Sequence, residues 1–195
     1  KMEAETAVQE IREITAQIRE TTSYLPDGYQ KIRNLEAQAA IKYWPVVGIS
    51  LPPPFAFSMR MKSGATDGFN PCLNYLYGML RNQVETAVLS VGLDPALGCM
   101  HRDGYCMPSL VFDLMEPFRP MIDKMLGEAI RSKKLEVATE VGEDGTTVIT
   151  GTGKKKLIEL FNENLNKVFV FNQAKSTLKN HFLLETRRLA QLTGT

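Results

Sequence analysis

The stretch "NPCLNYLYGMLRNQVETAVLSVG", Asn70 to Gly92, decides how the rest of the chain is read. Leu73, Leu76, Leu80, Val84, Ala87, Val88 and Val91 recur at steps of three and four, so one side of a helix is apolar over about five turns. Asn70 followed by Pro71 reads as an N-cap with proline in the first turn, and Gly92 reads as the stop. A helix this long, with an apolar stripe this continuous, predicts a mainly α fold arranged around it.

Upstream, "PVVGISLPPPFAFSMRMKSGATDGF", residues 45–69, is broken by four prolines and three glycines and predicts a long non-helical connection. Before it, a helix is expected from about Tyr29 to Trp44, stopped by Pro45. At the start, Val8, Ile11, Ile14 and Ile18 mark an amphipathic helix that ends near Leu25-Pro26-Asp27-Gly28. Downstream, the turn-rich "GLDPALGCM" leads to His101, and Pro108-Ser109 opens a helix running toward Arg131. Residues 135–150 alternate around Asp144-Gly145 and predict one small hairpin. Two further helices are expected over Lys154–Val168 and Gln173–Leu192, giving a single multi-helix domain over 1–195.

At 195 residues with 44% hydrophobic content, the chain has enough apolar surface for a packed core. Lys and Arg number 23 against 22 Asp and Glu, so an anionic partner must be held by a local patch rather than by net charge. Cys72, Cys99 and Cys106 form no CxxC pair and suit a reducing compartment, so a cytoplasmic location is expected. No apolar run approaches the roughly 20 residues that span a bilayer, so no membrane partner is expected.

The chemistry concentrates in acids set among apolar residues. Glu36, in "NLEAQAAIKYW", shares a helical face with Ile32, Ala39, Ala40 and Tyr43. A carboxylate there needs a cation, either Arg33 or a basic residue of another helix, or else a metal. Asp113 and Glu116 lie three apart in "PSLVFDLMEPFRP", on one side of a helix that Pro117 and Pro120 would kink. Helix-dipole stabilisation could account for an acid in the first turn but does not reach Glu116. His101 reads either as a structural histidine or as a ligand. Its flanking cysteines match no standard zinc spacing, whereas one imidazole with two or three carboxylates suits Mn²⁺ or Mg²⁺.

Four motifs in this order, "NLEAQAAIKYW", "NPCLNYLYGML", "GLDPALGCMH" and "PSLVFDLMEPFRP", resemble the catalytic helical domain of the CRISPR-associated integrase family, the first of the Cas proteins. The resemblance extends from about Arg33 to Arg188. It implies a divalent metal, Mn²⁺ or Mg²⁺, held by Glu36, His101 and Glu116, with Asp113 assisting; the family uses either Asp or Glu at the last position. The reaction implied is insertion of new spacers into a CRISPR array, in which a DNA 3′-hydroxyl attacks a phosphodiester at the edge of a repeat. With water as nucleophile, the same centre would act as an endonuclease.

The resemblance also makes Arg60, in Phe57-x-x-Arg60, the leading phosphate contact, with Asn74 and Tyr77 lining the site. Tyr77 reads equally as core. Arg81, Arg102 and Arg119 lie on or beside the motif helices, and Lys154, Lys155 and Lys156 are either a DNA contact or a solvated face. Implied partners are double-stranded DNA with 3′-hydroxyl ends, CRISPR repeat DNA, a second copy in a homodimer, and the second Cas protein. Some family members are fused to a reverse transcriptase. The family's N-terminal β-rich domain has no counterpart here, so the chain is expected to be a C-terminal catalytic domain of a longer polypeptide. Two other readings are a transposon-borne integrase of the same family and a non-catalytic helical scaffold that binds DNA or other subunits.

Overall fold

The computed structural model describes residues 2–21, 26–98, 107–135 and 138–193. The fold is mainly α, with seven α-helices and two small antiparallel hairpins among these residues. Helices α1 (Met2–Glu20) and α2 (Pro26–Ile49) pack against each other, and Lys42 of α2 pairs with Glu10 of α1 at 2.9 Å. The buried side chains of α1 are Ala7 and Ile14, with Ile11 and Ile18 half-buried. Val8 is exposed, because the stripe runs 7, 11, 14, 18 rather than through 8.

Pro45 does not end α2, contrary to the sequence expectation. The carbonyl it leaves without a helical donor belongs to Ile41, which lies with Pro45 on the exposed side of the helix, where water can supply the missing bond. The connection therefore starts at Ser50, and its apolar residues Leu51, Phe55 and Phe57 turn inward, with Phe57 stacked on Phe69 at 4.6 Å.

Helix α3 (Phe69–Val91) is the axis of the body: α4 (Ser109–Met115), α5 (Arg119–Arg131), α6 (Gly151–Leu165) and α7 (Leu178–Thr193) all pack on it. Leu73, Leu76, Leu80, Val84, Ala87 and Val88 are buried as the periodicity predicts. Gly92 closes the helix at φ 83°, a left-handed conformation suited to glycine. Asn70 is not the cap, because the helix already includes it. Gly68 holds the cap position, and the side chain of Asp67 before it satisfies the first turn, its Oδ1 accepting from the Asn70 N–H at 2.8 Å.

The helix expected across the DLMEP motif is broken. Glu116–Phe118 is a 3-10 turn between α4 and α5, with Pro117 inside it and Pro120 in the first turn of α5. Phe118 fixes the turn, buried against Phe182 of α7 at 4.8 Å and Phe171 at 5.3 Å.

The hairpin of β1 (Thr139–Val141) and β2 (Thr147–Ile149) turns through Gly145 at φ 78°. A second hairpin, β3 (Val168–Phe171) with β4 (Ala174–Thr177), was not expected: it takes Val168 from the end of one expected helix and the first residues of the next, and fills the gap between them. Its turn residues Asn172 and Gln173 both have positive φ, as a two-residue hairpin requires. His181, one of the chain's two histidines, is fully buried behind this hairpin, its Nε2 3.2 Å from the Phe169 carbonyl. No helix among the described residues is long and apolar enough to cross a membrane.

Thr150 caps α6, its Oγ1 accepting from the Gly153 N–H at 2.8 Å. A Cβ on Gly153 would overlap the Ala138 carbonyl oxygen, which also accepts from the Thr150 N–H at 3.0 Å. Gly153→Ala is therefore expected to destabilise the fold by about 1–3 kcal/mol, read as a lower denaturant midpoint with an unchanged slope.

Candidate active site

Glu116 begins the 3-10 turn with its side chain 32% exposed, and Arg119 Nη1 lies 2.8 Å from its Oε1. The turn geometry follows from the sequence: Phe118 is drawn into the core, so Glu116, two residues before it, is left at the surface of the break. Asp113, one helical turn earlier on α4, is half-buried. Arg119 is half-buried and lies over the ring of Tyr77 at 5.2 Å. Its Nε is buried, and among the described residues it has no hydrogen-bond acceptor.

Arg60 lies 5.5 Å from the centroid of the same ring and 5.9 Å from that of Trp44. The Arg60 guanidinium donates to Asn70 Oδ1 at 2.9 Å, Asn74 Oδ1 at 2.5 Å and the Met61 carbonyl. Burial lowers its pKa, with a second positive charge, Arg119, acting in the same direction. Asn74 gives its amide hydrogens to the carbonyls of Met61 and Lys62. Asn70 bonds Arg60, Met61, Met59 and Asp67. These residues tie the long connection to the first turns of α3, so Arg60 and Asn74 have internal tasks that their sequence positions did not reveal.

Beneath this layer lies a buried acid that the sequence reading passed over. Asp123 of α5 is only 6% exposed and accepts from Tyr77 OH at 2.6 Å and Tyr43 OH at 3.2 Å. Burial raises the Asp123 pKa, opposed by the two phenol hydrogen bonds and the nearby Arg60 and Arg119 charges. Burial, followed by the Asp123 charge, pushes both tyrosines above their ordinary range. The available signal was positional: Asp123 shares a helical face with Leu126, Gly127 and Ile130, all buried.

Glu36 departs from expectation in the other direction. It is exposed, because the buried position at that point of α2 is Leu35 and the next residue is turned about 100° away. Its surroundings therefore impose no burial penalty, and no cation is needed to offset one. His101 and Arg102, like Cys99 and Cys106, lie outside the described residues. The described ends of that stretch meet: a Cβ on Gly98 would crowd Ser109, and the Leu110 N–H bonds the Pro95 carbonyl at 2.9 Å. Cys72 is buried, which pushes its thiol up to about 12, far from a reactive thiolate. Arg81, Lys154 and Lys155 are exposed, and Lys156 is half-buried.

No three His, Cys, Asp or Glu side chains converge among the described residues. The donor set of two carboxylates with one imidazole nevertheless suits Mn²⁺ or Mg²⁺ chemically. Glu116 and Glu36 belong to different elements, and the Tyr43–Asp123–Tyr77 bonds join α2 to α5 and α3.

The model of the family described as CRISPR associated protein Cas1 matches residues 1–163. The chain belongs to the Cas1 family. A CRISPR-associated endonuclease Cas1 of Leptospira interrogans is 30% identical over 98% of this chain and 78% of its own length. A CRISPR-associated endonuclease Cas1 of Saccharolobus solfataricus is 47% identical over 50% of this chain but 28% of its own length. A casposase bound to integration product superposes with a TM-score of 0.80 at 25% identity, covering 96% of this chain and 56% of the casposase chain. A Cas6-RT-Cas1–Cas2 complex shares the fold, with a TM-score of 0.80 at 18% identity over 95% of this chain and 20% of its own. The Cas1 chain described here thus spans only part of the length of these relatives.

Proposed function

We propose that this Cas1 chain is the catalytic domain of a divalent-metal-dependent DNA integrase and endonuclease that inserts new spacers into a CRISPR array. The observation that carries the reading is Glu116, an acid set at a proline-built helix break that Phe118 anchors in the core, and held from one side by Arg119. Glu36, His101 and Glu116 would hold Mn²⁺ or Mg²⁺, with Asp113 beside Glu116. The bound ion supplies a Lewis acid that polarises the scissile phosphate and stabilises developing oxyanion charge.

The chain's own residues do the rest. Arg119 orients Glu116 through its Nη1, and the partly exposed guanidinium adds positive charge beside that carboxylate where a phosphate would approach. Arg81, Lys154, Lys155 and Lys156 offer phosphate contacts, and Arg102 lies in the His101 stretch. Arg60, Asn74 and Tyr77 support the site as its frame, and Arg60 is the one of the three whose charge also adds to the local positive potential. The full-length protein is expected to work as a homodimer with the second Cas protein on double-stranded DNA with 3′-hydroxyl ends, whether or not a reverse transcriptase is fused to it. The likeness to a casposase favours one second reading, a transposon-borne integrase of the same family.

The test is joining of a short duplex with free 3′-hydroxyl ends to a plasmid by the full-length protein, in Mn²⁺, Mg²⁺ or EDTA. Joining that requires the metal and favours repeat edges is expected. A preference for terminal inverted repeats would support the transposon reading. Binding without joining in either metal would leave a scaffold that binds DNA.

A further inference from the structure

Asp123 has no assigned part in the chemistry proposed above, yet it is the most deeply buried carboxylate among the described residues. A buried carboxylate is a poor way to fill space, since well-packed apolar residues of similar volume are often as stabilising or more so. Its two hydrogen bonds go to different helices, Tyr77 of α3 and Tyr43 of α2. The second of these matters most for geometry. Helix α2 packs along α1 as far as Lys42 on Glu10, and it meets the body through its last turns: Tyr43 on Asp123, Trp44 beside Phe57, and Gly48, where a Cβ would overlap the Phe57 carbonyl.

Counting from Glu36, Tyr43 is the first side chain of α2 among the described residues whose hydrogen bond reaches the body. Seven residues separate the two, so they share a face, two turns or about 10 Å apart. From Asp123 the other way, Glu116 is seven residues back across the proline break, held by Arg119, whose guanidinium lies over the Tyr77 ring. A small tilt of α2 at Tyr43 is therefore magnified at Glu36 relative to Glu116.

We propose that Asp123 is a positioning residue: by receiving the hydroxyls of Tyr43 and Tyr77, it sets the Glu36 helix against the Glu116 turn at the spacing a shared divalent ion needs. The inference rests on the assignment of Glu36 and Glu116 as ligands. Tyr43→Phe removes one hydroxyl and keeps the ring that meets Trp44 edge-on at 4.8 Å. Asp123→Asn keeps the shape and removes the charge.

The test uses the full-length protein. Free Mn²⁺ is followed by electron paramagnetic resonance during titration, and a thermal melt is recorded without metal. Tyr43→Phe is expected to weaken Mn²⁺ binding about tenfold, as loss of an outer support does, and Asp123→Asn at least as much. Strand transfer by Tyr43→Phe should recover as Mn²⁺ is raised, which a general loss of folding would not allow. Mn²⁺ affinity within about twofold of wild type in Tyr43→Phe would overturn the inference, whatever happens to the melting temperature. Glu36→Ala separates the two levels. If it abolishes Mn²⁺ binding while Tyr43→Phe does not weaken it, only the positioning of α2 by Asp123 falls; if it leaves Mn²⁺ binding unchanged, the ligand assignment falls and the inference with it.

Discussion

Glu116→Ala is expected to lower metal-dependent 3′-hydroxyl joining by at least about 10²-fold, the scale on which removing one element of transition-state electrostatic stabilisation is felt. The fold should survive. The side chain is about one-third exposed, and its pairing with Arg119 is partly solvated, so its loss costs at most about 1 kcal/mol. The turn that carries it is anchored by Phe118, which the substitution leaves in place. Glu36→Ala should behave alike, since it removes an exposed helical side chain whose stability cost is within about 0.5 kcal/mol. The check is a strand-transfer time course beside a thermal melt and a DNA-binding titration. An unchanged melt and DNA affinity with joining lost is the expected pattern, and undiminished joining in either variant would remove that residue from the ligand set.

What the sequence made legible follows from which forces act locally. The α3 stripe is a helix-period signal strong enough to survive any context, and six of its apolar positions are indeed buried. The break at Glu116 was also legible, because Pro117 and Pro120 act through covalent geometry. Pro45 carries the same covalent signal but fails to stop α2, because the exposed side of a helix tolerates a carbonyl that water can satisfy. The Val168–Phe171 strand was lost for a different reason: its turn lacks the glycine that usually announces a two-residue hairpin, and Asn172 and Gln173 accept positive φ under tertiary constraint.

At the candidate site, which charges are buried was not legible in the sequence. Glu36 looked buried because Ile32, Ala39 and Ala40 share its face, yet the α1–α2 contact falls on Leu35. The acid that is buried, Asp123, declares itself only when α2 and α3 bring Tyr43 and Tyr77 to it, and that convergence is tertiary. Periodicity reports which face of one helix is apolar and says nothing about which helix arrives there.

The same limit governs Arg60, and it leads to an outcome opposite to that of a simple phosphate contact. Arg60→Ala leaves the Asn70 and Asn74 side-chain oxygens and the Met61 carbonyl without their guanidinium donor, and bares the face of Tyr77 that Arg60 covers. Hydrogen bonds to a charged donor contribute about 1.5–3 kcal/mol each; the Asn70 oxygen keeps the Met61 N–H and the Met61 carbonyl keeps the Asn74 amide, so only the Asn74 oxygen is left unmet and a total loss of about 3 kcal/mol is expected. For a domain of this size that corresponds to roughly 6–12 °C in the thermal midpoint. Arg60→Lys should recover little, since one ammonium cannot span two asparagine oxygens and a carbonyl as a planar fork does. Circular dichroism melts of both variants, with DNA affinity measured well below the midpoint, separate the two roles. A lowered midpoint with DNA affinity retained would make Arg60 the clamp of the long connection, whereas an unchanged midpoint with weakened DNA binding would return it to the phosphate backbone.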